Sequence, residues 1–489
     1  MRKQSPKLSG HVDAWLVARS ARVRPTPADR FLRALSMSAD HSRLWLVVAA
    51  LMSMGGRAPR RAAVRGLLSV ALASSVANGI AKPLFPRRRP PDESVPFVRR
   101  LVTPPVSSSF PSGHSASAAA FATGVALESP AAAVVVAPIA AAVGYSRVHI
   151  GVHWPSDVIA GAALGSAIAL GTRRWWAQRD DEPAELGPHE RITAMHNGFG
   201  LLLVVNTDSG GGAGSEQVQL LHENLPAAEV LAVTEDLTAQ LDERARRHDI
   251  AALGVFGGDG TVSAVAAAAV EHRLPLAVFA GGTLNHFARD TGVDHPEHTL
   301  AALESGDAVR TDTAEVRSDG LAPRTFVNTA SLGGYPDFVR FREHWEPRLG
   351  KWPAAGIAMV RVLFRAQPLP TTIDGTRTAI WMLFVGNGHY RPAHQIPMSR
   401  PALHHGTLDI RYLRADLPFS RTRLIWATLT GTLDRSATYV IRRVDGLTVR
   451  VDGGPVALAT DGEVDHRGND FTFTSRPAAL TLFRRPEPS

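Results

Sequence analysis

Apolar residues in the first third of the chain come in blocks, without strand-like alternation: "LWLVVAALMSMGG" (44–56), "GLLSVALASSVANGI" (66–80), "SASAAAFATGVAL" (115–127), "AAAVVVAPIAAAVGY" (131–145) and "VIAGAALGSAIALG" (158–171). Continuous runs of this length, rich in Ala and Leu, predict helices. Each falls short of the ~20 apolar residues a perpendicular membrane span needs, so length alone admits buried core helices as well. Several in succession favour an all-α helical membrane bundle.

The texture changes after "TRRWWAQRDDEPAELGPHERI". Trp175 and Trp176 beside Arg173 and Arg174 read as an interfacial anchor, and Asp180 to His189 as a polar linker. Beyond it, apolar runs end in glycine turns that lead into helical stretches, as in "GLLLVVNTDSGGGAG", "AALGVFGGDGTVSAVAAAAVE" and "PLAVFAGGTLNHFARD". That order predicts a parallel sheet with helices on its faces. From about Val309 strands dominate: "RTFVNTASLGG", "TAIWMLFVGNG", "TLDIRYLR", "LTVRVDG", "DFTFTS". The organisation expected is a basic, amphipathic segment at 1–43, a helical membrane domain at 44–175, a linker at 176–195 and a two-lobe domain at 196–489. Within the last, an α/β parallel-sheet lobe at 196–308 precedes a β-rich lobe at 309–489.

Composition narrows the chemistry. The 489 residues include no cysteine, which excludes disulfide scaffolds, thiolate zinc sites and cysteine nucleophiles. The formal charge is +8, and of 53 basic residues only Lys3, Lys7, Lys82 and Lys351 are lysines. A basic surplus suits nucleic acid, anionic lipid or a phosphorylated substrate. There is no aromatic-interleaved basic stripe or nucleic-acid module, so nucleic acid is not an expected partner. The N-terminus has no continuous apolar stretch of the kind a cleaved signal peptide carries.

Titratable residues cluster in three pieces between the apolar blocks: "KPLFPRRRP" (82–90), "PSGH" (111–114) and "SRVHIGVHWPSD" (146–157). Singly, each reads as a solvated loop or a satisfied structural histidine. Together and in this order they resemble the signature of the type 2 phosphatidic acid phosphatase superfamily, over roughly residues 30–175. A phosphoryl group in transfer presents three anionic oxygens. Lys82, Arg89, Arg147, Ser112 and the Gly113 amide can hold them without a metal or other cofactor. The resemblance implies His153 as nucleophile, Asp157 as the carboxylate that orients it, and His114 as the acid that protonates the leaving oxygen. The four-residue spacing of His153 and Asp157 suits a contact along a helix. Tyr145 and His149 lie outside the pattern and are read as structural.

The second half has its own set. "GGDGT" (257–261), between a strand and a helix, is a turn whose amides can hold nucleotide phosphates. With "VNTDSGGG" (205–212), "AGGTLNHFARD" (280–290) and "DGE" (461–463) it resembles the diacylglycerol kinase catalytic domain family. The resemblance implies an ATP site lined by Asn206, Ser209, Gly210, Thr234, Gly257, Gly258, Asp259, Gly260, Thr261 and Thr283. Asp259 would organise Mg2+ with the ATP, and Glu463 would take the proton from the lipid hydroxyl. Two positions depart from the family pattern. His286 stands where members carry an aspartate after "GTxN". His405, in "HHGTLDI", stands where an acid would help hold a structural magnesium. Adjacent histidines on a strand would point to opposite faces, which disfavours a metal there.

Helix order gives a topology. The three motifs fall on one side of the bundle, while the linker and the basic loop with Arg57, Arg60, Arg61 and Arg65 fall on the other. Basic loops favour the cytoplasm, where ATP also is. The expectation is a multi-pass cell-membrane protein with a cytoplasmic kinase half, an extracytoplasmic phosphatase site and membrane lipids as substrates, a lipid phosphate and a lipid alcohol such as diacylglycerol or a polyprenol. The basic tail before Leu44 fits that rule poorly, so the first apolar block is expected to be re-entrant or interfacial. The other reading is a phosphate- or vanadate-binding helical domain joined to a kinase fold that senses nucleotide without turnover.

Overall fold

Proline and short polar side chains start several of the helices. Pro27 opens α2 (Pro27–Ser38), following α1 (Leu8–Ala21), and the Asp29 carboxylate accepts the Thr26 amide at 2.8 Å across its first turn. Then come α3 (Arg43–Ser53), α4 (Arg57–Ser75), α5 (Gly113–Ala126), α6 (Pro130–His149) and α7 (Pro155–Gly171). Helix α4 continues through a π-helical turn, Val76–Ala81, into Lys82–Leu84. In this computed structural model, residues 8–101, 105–174, 183–207, 209, 212–234, 236–282, 285–320, 322–334, 366–393, 397 and 399–485 are described. They fall into two compact units, 1–179 and 180–489.

Among the described residues, two helices are long and apolar enough to cross a membrane, Ala58–Leu84 with 27 residues and Pro130–His149 with 20. The other apolar blocks form shorter helices of 11, 14 and 17 residues. Helix α5 is the centre of the first unit. Gly161 and Gly165, one turn apart on α7, let that helix touch it: a Cβ at these positions would stand 2.3 Å from the Ser112 carbonyl oxygen and 2.0 Å from that of Ala116. The close approach has a consequence for chemistry, because it lets the Ser112 amide donate to the Asp157 carbonyl at 3.0 Å. Trp45 of α3 is buried against Phe121 of α5, ring centroids 5.0 Å apart.

The second unit is built on one mixed sheet. Its parallel part has the order β3 (Glu229–Ala232), β2 (Leu201–Val205), β4 (Ala252–Gly257), β5 (Leu276–Ala280). Strands β2, β4 and β5 are buried along nearly their whole length, as a sheet covered on both faces requires, whereas β3 at the edge is buried only at Leu231. The long β16 (Asp470–Phe483) pairs in parallel with β5 at Leu482 and antiparallel with β6 (Asp307–Ser318) and β13 (Gly446–Val451). The sheet then continues through antiparallel strands that include β8 (Thr329–Gly333), β10 (Thr376–Asn387), β11 (Leu408–Arg414), β14 (Val456–Thr460) and β15 (Glu463–Gly468).

The segment expected as a linker needs correction from residue 183 onward. Its strand His189–Arg191 pairs with β6, the Ala184 amide donates to the Asp290 carbonyl at 2.6 Å, and Met195 is in an apolar core. Isolated apolar residues, Ala184, Leu186, Ile192 and Met195, dock a stretch whose overall polarity reads as loop. Trp175, Trp176 and Asp180 lie outside the described residues.

Candidate active sites

The three motifs of the first unit meet at one end of its helices. Lys82 follows the π-helical turn, a feature frequent at functional sites. Ser112 caps α5, accepting from Ser115 Oγ at 2.9 Å, so the first amides of α5, Gly113 and His114, sit at a helix N-terminus suited to an anion. Arg147 closes α6, and His153 lies in the turn before α7. The Lys82 ammonium donates to Ser107 Oγ at 3.4 Å and is close enough to Arg89 and Arg147 to repel both.

The His153 ring is buried, and its partners assign its tautomer. Nδ1–H donates to the Ser109 carbonyl at 2.7 Å, and Nε2 faces Arg89 Nη1 at 3.3 Å. A guanidinium has only donors, so Nε2 carries the lone pair. Burial and the Arg147 and Arg89 charges push this ring down to about 4, against the pull of Asp157. The expected helical contact with Asp157 is corrected by geometry. His153 precedes the helix, Asp157 Oδ2 is 3.7 Å from Nδ1, and the Ser109 carbonyl makes the hydrogen bond. Asp157 is held in turn by Arg87 at 2.6 Å, the Trp154 amide at 2.9 Å and the Ser109 hydroxyl. Arg147 is buried, donates through Nη1 to Ser36 Oγ, and its Nε has no hydrogen-bond partner, an arrangement that the oxygen of an anion would satisfy.

In the second unit, "GGDGT" bridges β4 and α8 (Asp259–His272). Asn206 at the end of β2 donates through Nδ2 to Thr261 Oγ1 at 3.1 Å. The turn after β5 presses on this one: a Cβ on Gly282 would stand 2.6 Å from the Gly258 Cα. The Ser209 hydroxyl also lies beside Gly258. Asp259 Oδ1 accepts the His286 amide at 2.7 Å, so the backbone of the departing position is held by the nucleotide turn. Glu463 reaches the same place. Its Oε1 is packed against Gly260, and its Oε2 accepts from Arg324 at 3.1 Å. Thr234 is near the end of β3, where its hydroxyl accepts from Gln240 at 2.9 Å. Gly210 and Thr283 lie outside the described residues.

Comparison with known proteins finds a family for each half. The PAP2 superfamily profile matches residues 63–181, and that of the diacylglycerol kinase catalytic domain matches residues 200–316. The decaprenylphosphoryl-5-phosphoribose phosphatase of Mycobacterium tuberculosis is 35% identical over 173 residues, 34% of this chain and 90% of that protein. The chain belongs to the PAP2 superfamily, with a diacylglycerol kinase catalytic domain fused behind it. A diacylglycerol kinase of the same organism is 27% identical over 253 residues, 48% of this chain and 76% of the relative. The crystal structure of a diacylglycerol kinase from Bacillus anthracis str. Sterne covers 58% of this chain and 97% of its own, at 20% identity and a TM-score of 0.41.

Sequence reasoning missed the first forty or so residues, which precede the PAP2 match. Asp13 of α1 binds Arg87 at 2.7 Å and the Ser156 amide at 3.0 Å. Asp29 binds Arg99 at 2.9 Å and His149 at 2.5 Å, which supports the structural reading of that histidine. Asp40 binds His114 Nε2 at 2.7 Å. The only available signal was three acidic residues in an otherwise basic stretch.

The kinase domain has a missed residue as well. Asp461, in the left-handed region at φ 47°, is buried and accepts from the Val327, Asn328 and Thr329 amides at 2.8–2.9 Å and from Ser263 Oγ at 2.5 Å. Burial pushes its carboxyl up, against those four donors. Asp461→Ala leaves three amides without their acceptor, and the expected cost is about 3 kcal/mol or more. Thermal unfolding of the kinase domain in the full chain, followed by limited proteolysis, reads that loss.

At the other departing position, His404 and His405 have ring centroids 4.3 Å apart, and His389 is 5.7 Å from His405. The expectation of opposite faces fails because residues 404–407 form a loop and β11 begins only at Leu408. Asp312 serves this loop by accepting the Gly406 amide at 2.6 Å. Among the described residues no group of three or more His, Asp or Glu is arranged to hold a metal.

Proposed function

We propose that the protein is a bifunctional membrane enzyme, a histidine-dependent phosphatase of lipid phosphates or pyrophosphates joined to an ATP-dependent lipid kinase. The observation that carries the first activity is the tautomer of His153, whose Nε2 lone pair is presented among Arg89, Arg147 and Lys82. Nε2 attacks phosphorus, the bond from phosphorus to the lipid oxygen breaks, and that oxygen takes a proton from His114. Water, giving a proton to His114, then attacks the phosphoryl group, the bond from phosphorus to Nε2 breaks with its electron pair returning to Nε2, and inorganic phosphate leaves. The cationic side chains and the N-terminus of α5 hold the phosphoryl oxygens throughout. Similarity to a decaprenylphosphoryl-phosphoribose phosphatase supports a polyprenyl-type lipid phosphate as substrate.

In the kinase domain, Asn206, Ser209, Gly210, Thr234, Thr283 and the turn from Gly257 to Thr261 hold ATP. Asp259 would hold magnesium through its carboxylate, and the ion would supply charge neutralisation to the transferring phosphate. Glu463 takes the proton of a lipid hydroxyl, diacylglycerol or a related alcohol. The order of the apolar segments and the basic loop before the second of them support a phosphatase site outside the cytoplasm and a kinase inside it. The N-terminal segment contacts the motif-bearing ends through Asp13 and Asp40, which supports its lying on their side.

The test uses the full chain in detergent. Phosphate release from a polyprenyl phosphate in the presence of a chelator, and Mg-dependent transfer from ATP to diacylglycerol or a polyprenol, are the expected results. A folded protein that releases phosphate from no lipid phosphate overturns the first half, and one that phosphorylates no lipid alcohol overturns the second.

A pH dependence follows for His153. The attacking ring must be neutral, and it is protonated only towards pH 4. Phosphate release, corrected for ionisation of the substrate, should therefore hold down to about pH 5, whereas an unperturbed histidine would lose half its activity near ~6.5. The folded ring binds its proton more weakly than the unfolded chain does, so stability falls as pH drops from ~6.5 towards 4.

A further inference from the structure

Asp40 occupies a turn between α2 and α3 that precedes the PAP2 match, and nothing in the superfamily signature calls for it. Its carboxylate meets His114 Nε2 at 2.7 Å. The turn is costly, because His41 and Ser42 follow in the left-handed region at φ 52° and 63°. Backbone strain of this kind persists where the surroundings impose it, often beside functional groups. Here the neighbouring chain is pinned on both sides, by the Arg147 bond to Ser36 before it and by buried Trp45 after it. The Asp40 side chain is itself 46% exposed, so it is not a core group. The charged groups that face His114 are Asp40, Arg147 from α6 and His153 from the turn before α7. Burial, with Arg147 and His153, pushes the ring down to about 4, and Asp40 is the group that pulls the other way.

We propose that Asp40 is a positioning residue of the phosphatase, holding the His114 imidazolium through Nε2 so that the proton on Nδ1 passes to the departing lipid oxygen. After transfer, the ring is neutral and Nε2–H still donates to Asp40. The bond from phosphorus to the lipid oxygen has broken, and the bond from phosphorus to His153 has formed. The proposal rests on the reading of His114 as general acid.

Leaving-group dependence tests it. An alkyl phosphate such as dodecyl phosphate needs a proton on its departing oxygen, whereas an aryl phosphate such as p-nitrophenyl phosphate departs without one. In the first turnover, Asp40→Asn in the full chain should slow release of dodecanol about 10- to 100-fold, up to the lower end of the range for full general-acid assistance, and change release of nitrophenol less than about threefold. Asp40→Glu should recover part of the alkyl rate, and the basic limb of kcat/KM for dodecyl phosphate should move to lower pH in Asp40→Asn. Equal losses on both substrates, or no loss on dodecyl phosphate, overturn the proposal. His114→Ala, run on the same pair, separates the two claims. If His114→Ala is selective for the alkyl substrate and Asp40→Asn is not, only the role of Asp40 falls. If His114→Ala lacks selectivity, the general-acid reading falls and takes the proposal with it.

Discussion

Replacing His153 with alanine is expected to lower phosphate release from a lipid phosphate by at least about 10⁴-fold, while transfer from ATP to a lipid alcohol continues at its original rate. The magnitude is that of removing a covalent nucleophile, after which only binding and the surrounding cations remain to assist water. Kinase activity persists because the two sets of residues belong to separate compact units. His153→Gln controls for volume: it refills the buried space beside Ser109 and should restore stability without restoring turnover. Parallel assays of phosphate release and of labelled phosphate incorporation on each variant decide the matter. Residual release within tenfold of the parent enzyme would exclude His153 as nucleophile.

Glu463→Gln is expected to slow phosphoryl transfer by about 10²- to 10⁴-fold, the usual range for a lost general base, with ATP affinity within about twofold of the parent. Glutamine keeps the shape that packs against Gly260 and an oxygen for Arg324 to bind, so the nucleotide turn should stay in place. Only the ability to accept the proton of the lipid hydroxyl is removed. Equilibrium binding of ATP and single-turnover transfer separate the two effects. A collapse of ATP affinity with unchanged transfer per bound complex would make Glu463 a binding residue.

Local pattern made the helices, the glycine turns and the three phosphatase motifs legible. Blocks of Ala, Val and Leu can satisfy their backbone only as helix where the surroundings are apolar, and Gly257, Gly258 and Gly260 mark a turn that phosphates can approach. Polar side chains whose partners are far along the chain were not legible. Asp40 is 74 residues from His114 and Asp461 is 198 from Ser263, and no periodicity links such pairs. The hydrogen-bond acceptor of His153 was not legible for a related reason. Asp157 was legible because it is a side chain at a short spacing, whereas the group that accepts the Nδ1 proton is a backbone carbonyl, which every residue has.

The sequence by itself determined which chemistry the chain carries, since Lys82, Arg89, His114, Arg147, His153 and the "GGDGT" turn are side-chain and glycine choices written in local order. Only the tertiary structure decided how that chemistry is held. The contact of Gly161 and Gly165 with α5 sets Ser112 against Asp157, the N-terminal helices bring Asp13, Asp29 and Asp40 to the motifs, and β16 joins the parallel and antiparallel parts of one sheet. The physical reason is range: propensity and hydrophobic period act over a few residues, while the partner of a buried charge is chosen by whichever distant segment the packed backbone brings within hydrogen-bonding distance.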